Sequence, residues 1–187
     1  GDRPRRLLRR RAAMSSGDIP GTERLQLRKL TLDDAGLMLA VWNDPAFVRH
    51  VGDRGIRTTE EAHDAMRKGA LHLYEAFGYG PYRIGLKGDD TAVGICGLFR
   101  RDGLDEPDIG YSTLPEFCGK GYAYEAAIAV MDYARSEFDL ERLIAIISPQ
   151  NDASIGLIRK LGFEFERMHT MPDDDDEVCI YGKSLTG

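Results

Sequence analysis

The sequence predicts an α/β fold with a mixed, mostly antiparallel sheet, a central βαβ unit and helices on both faces. Segments 82–86, 92–99 and 107–113 alternate apolar residues and are separated by turns rich in Gly and Asp, which predicts an antiparallel meander. A helical pattern from Tyr122 to about Phe138 then leads to an apolar strand at 142–147. Because a helix makes this crossover, the strands at 107–113 and 142–147 are expected to run parallel and side by side.

A strand and two helices are predicted before the meander. Residues 25–30 have the apolar alternation of a short strand, and Thr31 or Asp33 can cap the helix that follows. Asn43-Asp44-Pro45 is expected to end that helix. A second helix is predicted from Thr59 to about Phe77, because its apolar residues recur at helical spacing.

A helix and a hairpin are predicted after the crossover. Asn151 or Asp152 can cap the helix, and Gly162 is expected to end it. Segments 163–169 and 177–185 then form the last hairpin, with an acidic, solvated loop between them.

The composition is that of one globular domain. At 187 residues, with 42% hydrophobic and 30% charged residues, the chain can bury a core without disulfides or metal. Cys96, Cys118 and Cys179 are odd in number and show no Cys-x-x-Cys spacing, which argues against a disulfide framework and a metal site. No apolar run approaches the ~20 residues of a membrane span. A cytoplasmic protein without a membrane partner is therefore expected.

Residues 1–20 are interpreted as a basic leader, and residues 21–187 as the folded domain. Six arginines lie within residues 1–13, and without that segment the chain carries 19 basic and 30 acidic residues, a net charge of −11. A body this acidic repels nucleic-acid phosphates, so no nucleic-acid partner is expected. The arginines themselves leave two alternatives open: a nucleic-acid or membrane arm, or a leader upstream of an initiator at Met14.

The stretch around Gly119 and Gly121 carries the strongest functional signal. A strand ends before Pro115, a loop with both glycines follows, and a helix begins near Tyr122. The first turn of a helix leaves backbone N–H groups unpaired and carries partial positive charge, so it can bind an anion. Glycines adopt positive φ and let an anion approach closely, and Lys120 can add its charge. The loop therefore predicts a phosphate site.

Two ordered stretches resemble the GNAT N-acetyltransferases. Cys118-Gly-Lys-Gly-Tyr-Ala123, followed by Glu125-Ala126, resembles the pyrophosphate loop of that family, Gln/Arg-x-x-Gly-x-Gly/Ala. Asn151-Asp-Ala-Ser154 and Ile158-Arg-Lys-Leu-Gly-Phe163 stand where the family carries its Asn-x-x-Ser and Lys-x-Gly-Phe elements. Cys118 departs from the pattern, because the family has Gln or Arg there.

The opening of the chain resembles one branch of this family. Glu23-Arg-Leu-Gln-Leu-Arg28, Leu32-Asp-Asp34 and Trp42-Asn-Asp-Pro45 are similar to the enzymes that acetylate the N-termini of ribosomal proteins. The resemblance covers residues 22 to 185. It places the acceptor beside the first helical region, where Trp42 and Tyr74 either line a pocket or belong to the core.

The resemblance implies a GNAT-type sheet with acetyl-CoA as cosubstrate and no metal. The pyrophosphate is expected on the glycine loop, and the pantetheine arm between the two parallel strands, where their ends separate. The residues implied to bind acetyl-CoA are Leu114, Cys118, Gly119, Lys120, Gly121, Tyr122, Ala123, Asn151 and Ser154.

The reaction implied by the resemblance is direct attack of a primary amine on the thioester in a ternary complex. Asp108 and Glu106 are the alternative carboxylates that accept the proton of the amine. A backbone N–H near Tyr111 or Ser112 is expected to stabilise the oxyanion. Ser154 is expected to hydrogen-bond the sulfur or relay a proton to it.

The acceptor is expected to be a peptide or protein N-terminus or a small amine, and the acidic body suits a cationic acceptor. The chain is expected to be a monomer or a homodimer. A non-catalytic acyl-CoA-binding sensor is the alternative function, because Asp108 and Cys118 depart from the family's usual residues.

Overall fold

The sheet in the computed structural model, which describes residues 18–172 and 174–186, has seven strands. Their order across the sheet is β1-β2-β3-β4-β5-β7-β6, and every neighbouring pair is antiparallel except β4 and β5, which are parallel. The predicted meander, parallel pair and closing hairpin are therefore confirmed. The strands are β1 (Leu25–Lys29), β2 (Pro81–Leu86), β3 (Ala92–Phe99), β4 (Asp108–Thr113), β5 (Arg142–Ile147), β6 (Glu164–Thr170) and β7 (Glu177–Ser184).

The helices follow the predicted order, with one addition. The addition is α2, because Asn43-Asp44-Pro45 ends α1 but Pro45 also begins a new helix, where its fixed φ suits the first position. A π-helical segment, Arg67–Leu71, joins α3 to α4 within the long helix predicted over 59–77. The helices are α1 (Ala35–Trp42), α2 (Pro45–His50), α3 (Thr59–Met66), α4 (His72–Phe77), α5 (Tyr122–Phe138) and α6 (Asp152–Lys160).

Helices cover both faces of the sheet, as predicted. On one face, α5 packs its small residues against the strands, and Ala126, Ala127 and Val130 are fully buried there. On the other face, α1 and α3 enclose a second core around Trp42 and Met66. The two cores fix the sheet between helical layers, so the ends of β4 and β5 are held in place from both sides.

The parallel strands β4 and β5 are joined only near their N-terminal ends. Asp108 is paired with Ile144, and the N–H of Ile144 donates to the carbonyl of Pro107 at 3.1 Å. No further pair follows along these two described strands, so they separate toward their C-terminal ends. The separation lies directly before the glycine loop, where the sequence predicts the ligand.

The chain enters the fold earlier than the predicted boundary at residue 21. Ile19 is buried and forms an isolated antiparallel β-bridge with Leu27. The interpretation of residues 1–17 as a leader falls outside the described residues. In the part of the chain that the structure describes, no helix combines the length and apolar character needed to cross a membrane.

Candidate active site

The glycine loop has the backbone conformation that an anion site requires. Gly119 and Gly121 have φ values of +76° and +79°, in the left-handed region that favours glycine. Gly121 is the N-cap of α5, a helix of 17 residues whose first N–H groups have no intrahelical partner. A Cβ at Gly119 would meet no atom within 4 Å, so the space beside the loop is open. The loop therefore fits a diphosphate.

The side chains of the loop contribute less charge than its backbone. Cys118 is exposed, and its Sγ lies 3.3 Å from the hydroxyl of Thr113. The ammonium of Lys120 lies 5.8 Å from the centre of the Phe117 ring. A thiol has at most one weak donor and cannot supply the cationic contact of an arginine, so the helix N-terminus and Lys120 remain as the loop's own positive groups.

Arg24, which the sequence analysis did not identify as a site residue, contacts the glycine loop. The Nη1 of Arg24 donates to the carbonyl of Lys120 at 3.0 Å, and its Nε donates to Glu125 at 2.7 Å. The same Glu125 carboxylate accepts hydrogen bonds from the backbone N–H of Arg24 and from the Thr22 hydroxyl. No local pattern could reveal these contacts, because Arg24 and Glu125 are 101 residues apart.

The backbone of β4 faces the open gap at alternate residues. The N–H of Leu114 donates to Val93 in β3 at 2.8 Å, so the N–H of Ser112, two residues before it, also points to β3. Tyr111, the residue before Ser112, has the opposite orientation and directs its N–H toward the gap. Of the two residues predicted near the oxyanion, Tyr111 therefore has the suitable orientation.

The predicted Asn151 and Ser154 lie at the start of α6, across the gap from β4. The Oδ1 of Asn151 accepts from the N–H of Ser154 at 3.2 Å, so Asn151 caps the helix. The hydroxyl of Tyr111 donates to the carbonyl of Ser154 at 3.2 Å and connects β4 to α6. The cap uses the backbone of Ser154 and leaves its hydroxyl for another partner. The roles of both residues toward acetyl-CoA stay predictions.

Asp108 is the buried carboxyl group at the closed end of the gap. Its side chain is only 3% exposed, and both oxygens lie 3.2 Å from the Nε of Arg101. Burial raises the pKa of Asp108 to about 6, although the charge and hydrogen bond of Arg101 act against the rise. Arg101 itself stacks on Phe99 at 5.0 Å. A carboxyl with this pKa changes protonation close to neutral pH.

Glu106, the alternative carboxylate, is engaged elsewhere. It pairs with the Nε of Arg142 at 2.5 Å, and Arg142 also binds Glu166. The side chain of Glu106 is 41% exposed. The structure therefore places Glu106 in a partly exposed ion-pair network, while Asp108 is buried beside the gap.

The two aromatic residues considered for the acceptor pocket have structural contacts. Trp42 is 6% exposed in the second core, and the guanidinium of Arg54 lies 4.9 Å from its ring centre. The hydroxyl of Tyr74 accepts from the N–H of Leu30 at 2.9 Å and donates to the carbonyl of Pro81. Both residues hold the helical layer to the sheet. Within residues 18–172 and 174–186, no group of three His, Cys, Asp or Glu side chains has the arrangement of a metal site.

Comparisons with known proteins identify the family of the chain. Residues 24–164 match the Acetyltransferase (GNAT) domain. The chain is 31% identical over 147 residues to the uncharacterized N-acetyltransferase p20 of Bacillus licheniformis, with 78% of this chain and 82% of that protein covered. It is 44% identical over 154 residues to the spermidine N(1)-acetyltransferase of Escherichia coli K12, with 81% and 80% covered.

A solved structure extends the match to the fold. It is an acetyltransferase from Salmonella typhimurium that modifies the N-terminal serine of the 50S ribosomal protein L7/L12, with a TM-score of 0.74 and 19% identity. The superposition covers 89% of this chain and 98% of that one. At this identity the comparison concerns the fold alone. Together with the family match, these findings show that the chain belongs to the GNAT family of N-acetyltransferases, which use acetyl-CoA as cosubstrate.

Proposed function

We propose that this chain acetylates a primary amine by direct attack on acetyl-CoA in a ternary complex, with Asp108 as the general base. The observation that carries the proposal is the position of Asp108, a buried carboxyl with a pKa of about 6 where the gap between β4 and β5 closes. A general base is most effective when its pKa lies near the working pH. Asp108 meets that condition.

The proposed step balances as a simple acyl transfer. The nitrogen of the amine forms a bond to the thioester carbon, and its proton passes to Asp108, directly or through a water molecule. The N–H of Tyr111, which faces the gap, stabilises the oxyanion of the tetrahedral intermediate. The carbon–sulfur bond then breaks, and the leaving thiolate accepts a hydrogen bond or a proton from Ser154. A thiol with a pKa near ~8.5 leaves with little assistance, so Ser154 accelerates this step without being indispensable.

Asp108 is preferred to Glu106 as the base for an electrostatic reason. The carboxylate of Glu106 is held by the Nε of Arg142 at 2.5 Å and is 41% exposed, so it is engaged outside the gap. Asp108 is desolvated, and its single arginine contact at 3.2 Å leaves the pKa raised.

The acceptor belongs to one of two classes, a protein or peptide N-terminus or a small amine. The spermidine and ribosomal-protein enzymes among the related proteins represent these classes. The net charge of −6 favours a cationic acceptor over an anionic one through long-range attraction. The three free cysteines are compatible with a reducing cytoplasm as the place of action, for a monomer or a homodimer.

The function is tested by thiol release from acetyl-CoA against a panel of amines and N-terminal peptides. Turnover on one acceptor class is expected for the intact chain. Gly119→Glu should abolish it, because the new carboxylate lies beside the diphosphate. Gly119→Ala is the matched control, since it carries the same backbone strain at φ +76° without a charge, and should retain most of the activity.

The outcomes separate the enzyme from the sensor. If CoA protects the protein against thermal unfolding but no amine is acetylated, the catalytic proposal fails and the acyl-CoA sensor becomes the better account. If neither binding nor turnover is detected, the assignment of the loop to acetyl-CoA is wrong. Equal loss in the alanine and glutamate variants would show that loop strain, and not repulsion of the diphosphate, causes the defect.

A further inference from the structure

Arg24 lies outside the glycine loop, and yet it contacts the loop and the first turn of α5 simultaneously. One guanidinium donates through Nη1 to the Lys120 carbonyl at 3.0 Å and through Nε to Glu125 at 2.7 Å, and it stacks on the Tyr122 ring at 4.5 Å. These contacts fix the guanidinium in one plane. We infer that Arg24 is a positioning residue that orients the Lys120–Gly121 peptide for the diphosphate of acetyl-CoA.

The geometry of the peptide group explains how a contact on one side sets the other side. In a trans peptide the C=O and the following N–H point in opposite directions, and the described residues contain no cis bond. Arg24 fixes the carbonyl of Lys120, so the N–H of Gly121 is directed away from the guanidinium. Both glycines of the loop have positive φ and few steric limits, so without this contact the peptide could rotate more freely.

The electrostatics of the loop lead to the same conclusion. A free carbonyl oxygen beside the site would repel a diphosphate, and Arg24 neutralises that oxygen with a charged donor. A carboxylate in the first turn of α5 would also oppose anion binding. Glu125 is instead enclosed by three donors from Thr22 and Arg24, which hold its pKa below the ordinary value although burial acts against this. Its charge is thus balanced locally.

The Arg24 contacts also explain how the loop can be ordered although Cys118 stands where the family has Gln or Arg. The Sγ of Cys118 lies 3.3 Å from the hydroxyl of Thr113 and carries no guanidinium or amide donors with which to organise the loop. The order that the loop needs comes instead from Arg24, which directly precedes β1 and lies 96 positions before Lys120. This inference rests on the proposed binding of acetyl-CoA to the loop.

The test compares Arg24→Ala with Arg83→Ala. Arg83 is the control, because it also binds a carboxylate and a turn carbonyl, those of Asp90, at 2.9 and 2.7 Å, and its Nε lies 3.7 Å from Asp34, but it makes no contact with the glycine loop. Calorimetric titration with CoA is expected to show about tenfold weaker binding for Arg24→Ala, as for a lost charge-assisted hydrogen bond, and no change for Arg83→Ala. Steady-state kinetics should show a higher KM for acetyl-CoA and an unchanged kcat.

A ligand without phosphates separates positioning from general damage. Pantetheine lacks the diphosphate, so its binding should be the same in Arg24→Ala and in the intact chain. Equal weakening for CoA and pantetheine would overturn the inference, because the variant would then disturb the whole cleft. Arg24→Lys keeps the charge but cannot make both contacts in one plane, and full recovery of CoA binding by lysine would also overturn it.

The result for the intact chain distinguishes the inference from the function. If the intact chain does not bind CoA, the proposed function fails. If it binds CoA and Arg24→Ala binds equally tightly, only the role of Arg24 is refuted. The thermal midpoint of Arg83→Ala should fall at least as far as that of Arg24→Ala, because Arg83 is 11% exposed and pairs with both Asp34 and Asp90. Unchanged CoA binding by Arg83→Ala would then show that a loss of stability does not by itself weaken CoA binding.

Discussion

Two aspartates are buried in the described part of the chain, and their surroundings hold them in opposite ways. Asp34, in the turn before α1, accepts two hydrogen bonds from Arg28 at 2.8 and 2.9 Å and a third from the N–H of Thr31 at 2.9 Å. Asp108, at the start of β4, has Arg101, whose Nε lies 3.2 Å from both oxygens. Asp34 also lies 3.7 Å from the Nε of Arg83. Both aspartates therefore face arginine, but only Asp34 is enclosed by several well-directed donors.

The difference shows that an arginine partner alone does not set the pKa of a buried carboxyl. Burial tends to raise the pKa of each aspartate. For Asp34 the hydrogen bonds from Arg28 and Thr31 outweigh burial, and the pKa falls below its ordinary value. For Asp108 burial prevails, and the pKa rises to about 6. Asp34 is thus a permanently charged structural group, whereas Asp108 exchanges a proton near neutral pH.

The largest expected effect is on catalysis by Asp108→Asn. The amide keeps the size of the side chain but cannot accept the proton, so kcat/KM should fall about 10²- to 10⁴-fold. CoA binding should be unchanged, because the glycine loop is untouched. The measurement is thiol release at saturating acetyl-CoA with the acceptor identified in the amine panel.

Asp34→Asn is the matched control for catalysis. It replaces the other buried aspartate, which contacts Arg28 and Thr31 and lies outside the proposed site. The folded fraction of this variant should retain a kcat within about twofold of that of the intact chain, because the substitution lies outside the proposed site. Nearly full activity of Asp108→Asn would remove Asp108 from the mechanism and favour a water molecule as the base.

The same two variants should change stability in opposite directions at pH 7.5. Asp34→Asn should lower the free energy of unfolding by about 2 kcal/mol, because hydrogen bonds to a charged group are lost. Asp108→Asn should raise it by up to about 3 kcal/mol, since ionising a carboxyl whose pKa is shifted up by about two units costs about 1.4 kcal/mol per unit. Urea unfolding of both variants measures these changes.

The pH dependence of the free energy of unfolding shows whether the charged Asp108 stabilises or destabilises the fold. Its folded pKa of about 6 exceeds the ordinary 3.8, so the native state binds the proton more tightly and loses stability as pH rises from about 4 to 6. The advantage of Asp108→Asn should therefore vanish near pH 4. For Asp34 the lowered pKa gives stability that is present above about 3.9 and is lost at lower pH. Destabilisation by Asp108→Asn at pH 7.5 would show that this carboxylate is structural too.

The fold was largely predictable from the sequence because its signals are local. Alternation defined the meander, small residues defined the buried face of α5, and the glycine loop marked the N-terminus of that helix. The helix α2 was missed because Pro45 ends one helix and begins the next, and both uses agree with its fixed φ. The π-helical segment Arg67–Leu71 has no local signature, since it depends on how the flanking helices pack.

The site was predictable only where single residues carry the signal. The sequence named Asp108 and the loop as candidates, but it did not reveal the arginines that contact them. Arg24 acts on a carboxylate about one hundred positions away, and Arg101 matters because the fold buries Asp108. Burial and donor geometry decide whether an aspartate is a base or a structural anchor, and neither is encoded in spacing. The sequence therefore predicted candidate residues, but it did not predict that the pKa of Asp34 is lowered and that of Asp108 is raised.

The smallest effect, and the sharpest test of the comparison, is expected from Arg101→Gln. Removing the cation leaves burial unopposed, so the pKa of Asp108 should rise further above about 6, by roughly one unit. The base must be ionised to act, so the acid side of the pH profile of kcat/KM should move to higher pH, with activity reduced at pH 6.5 and recovered near pH 8. Arg100→Gln is the control, because Arg100 stacks on Phe77 without bonding to Asp108 and should shift the profile less. An unshifted profile in Arg101→Gln would mean that the acid side reports another group, and the contrast between the two aspartates would then not extend to catalysis.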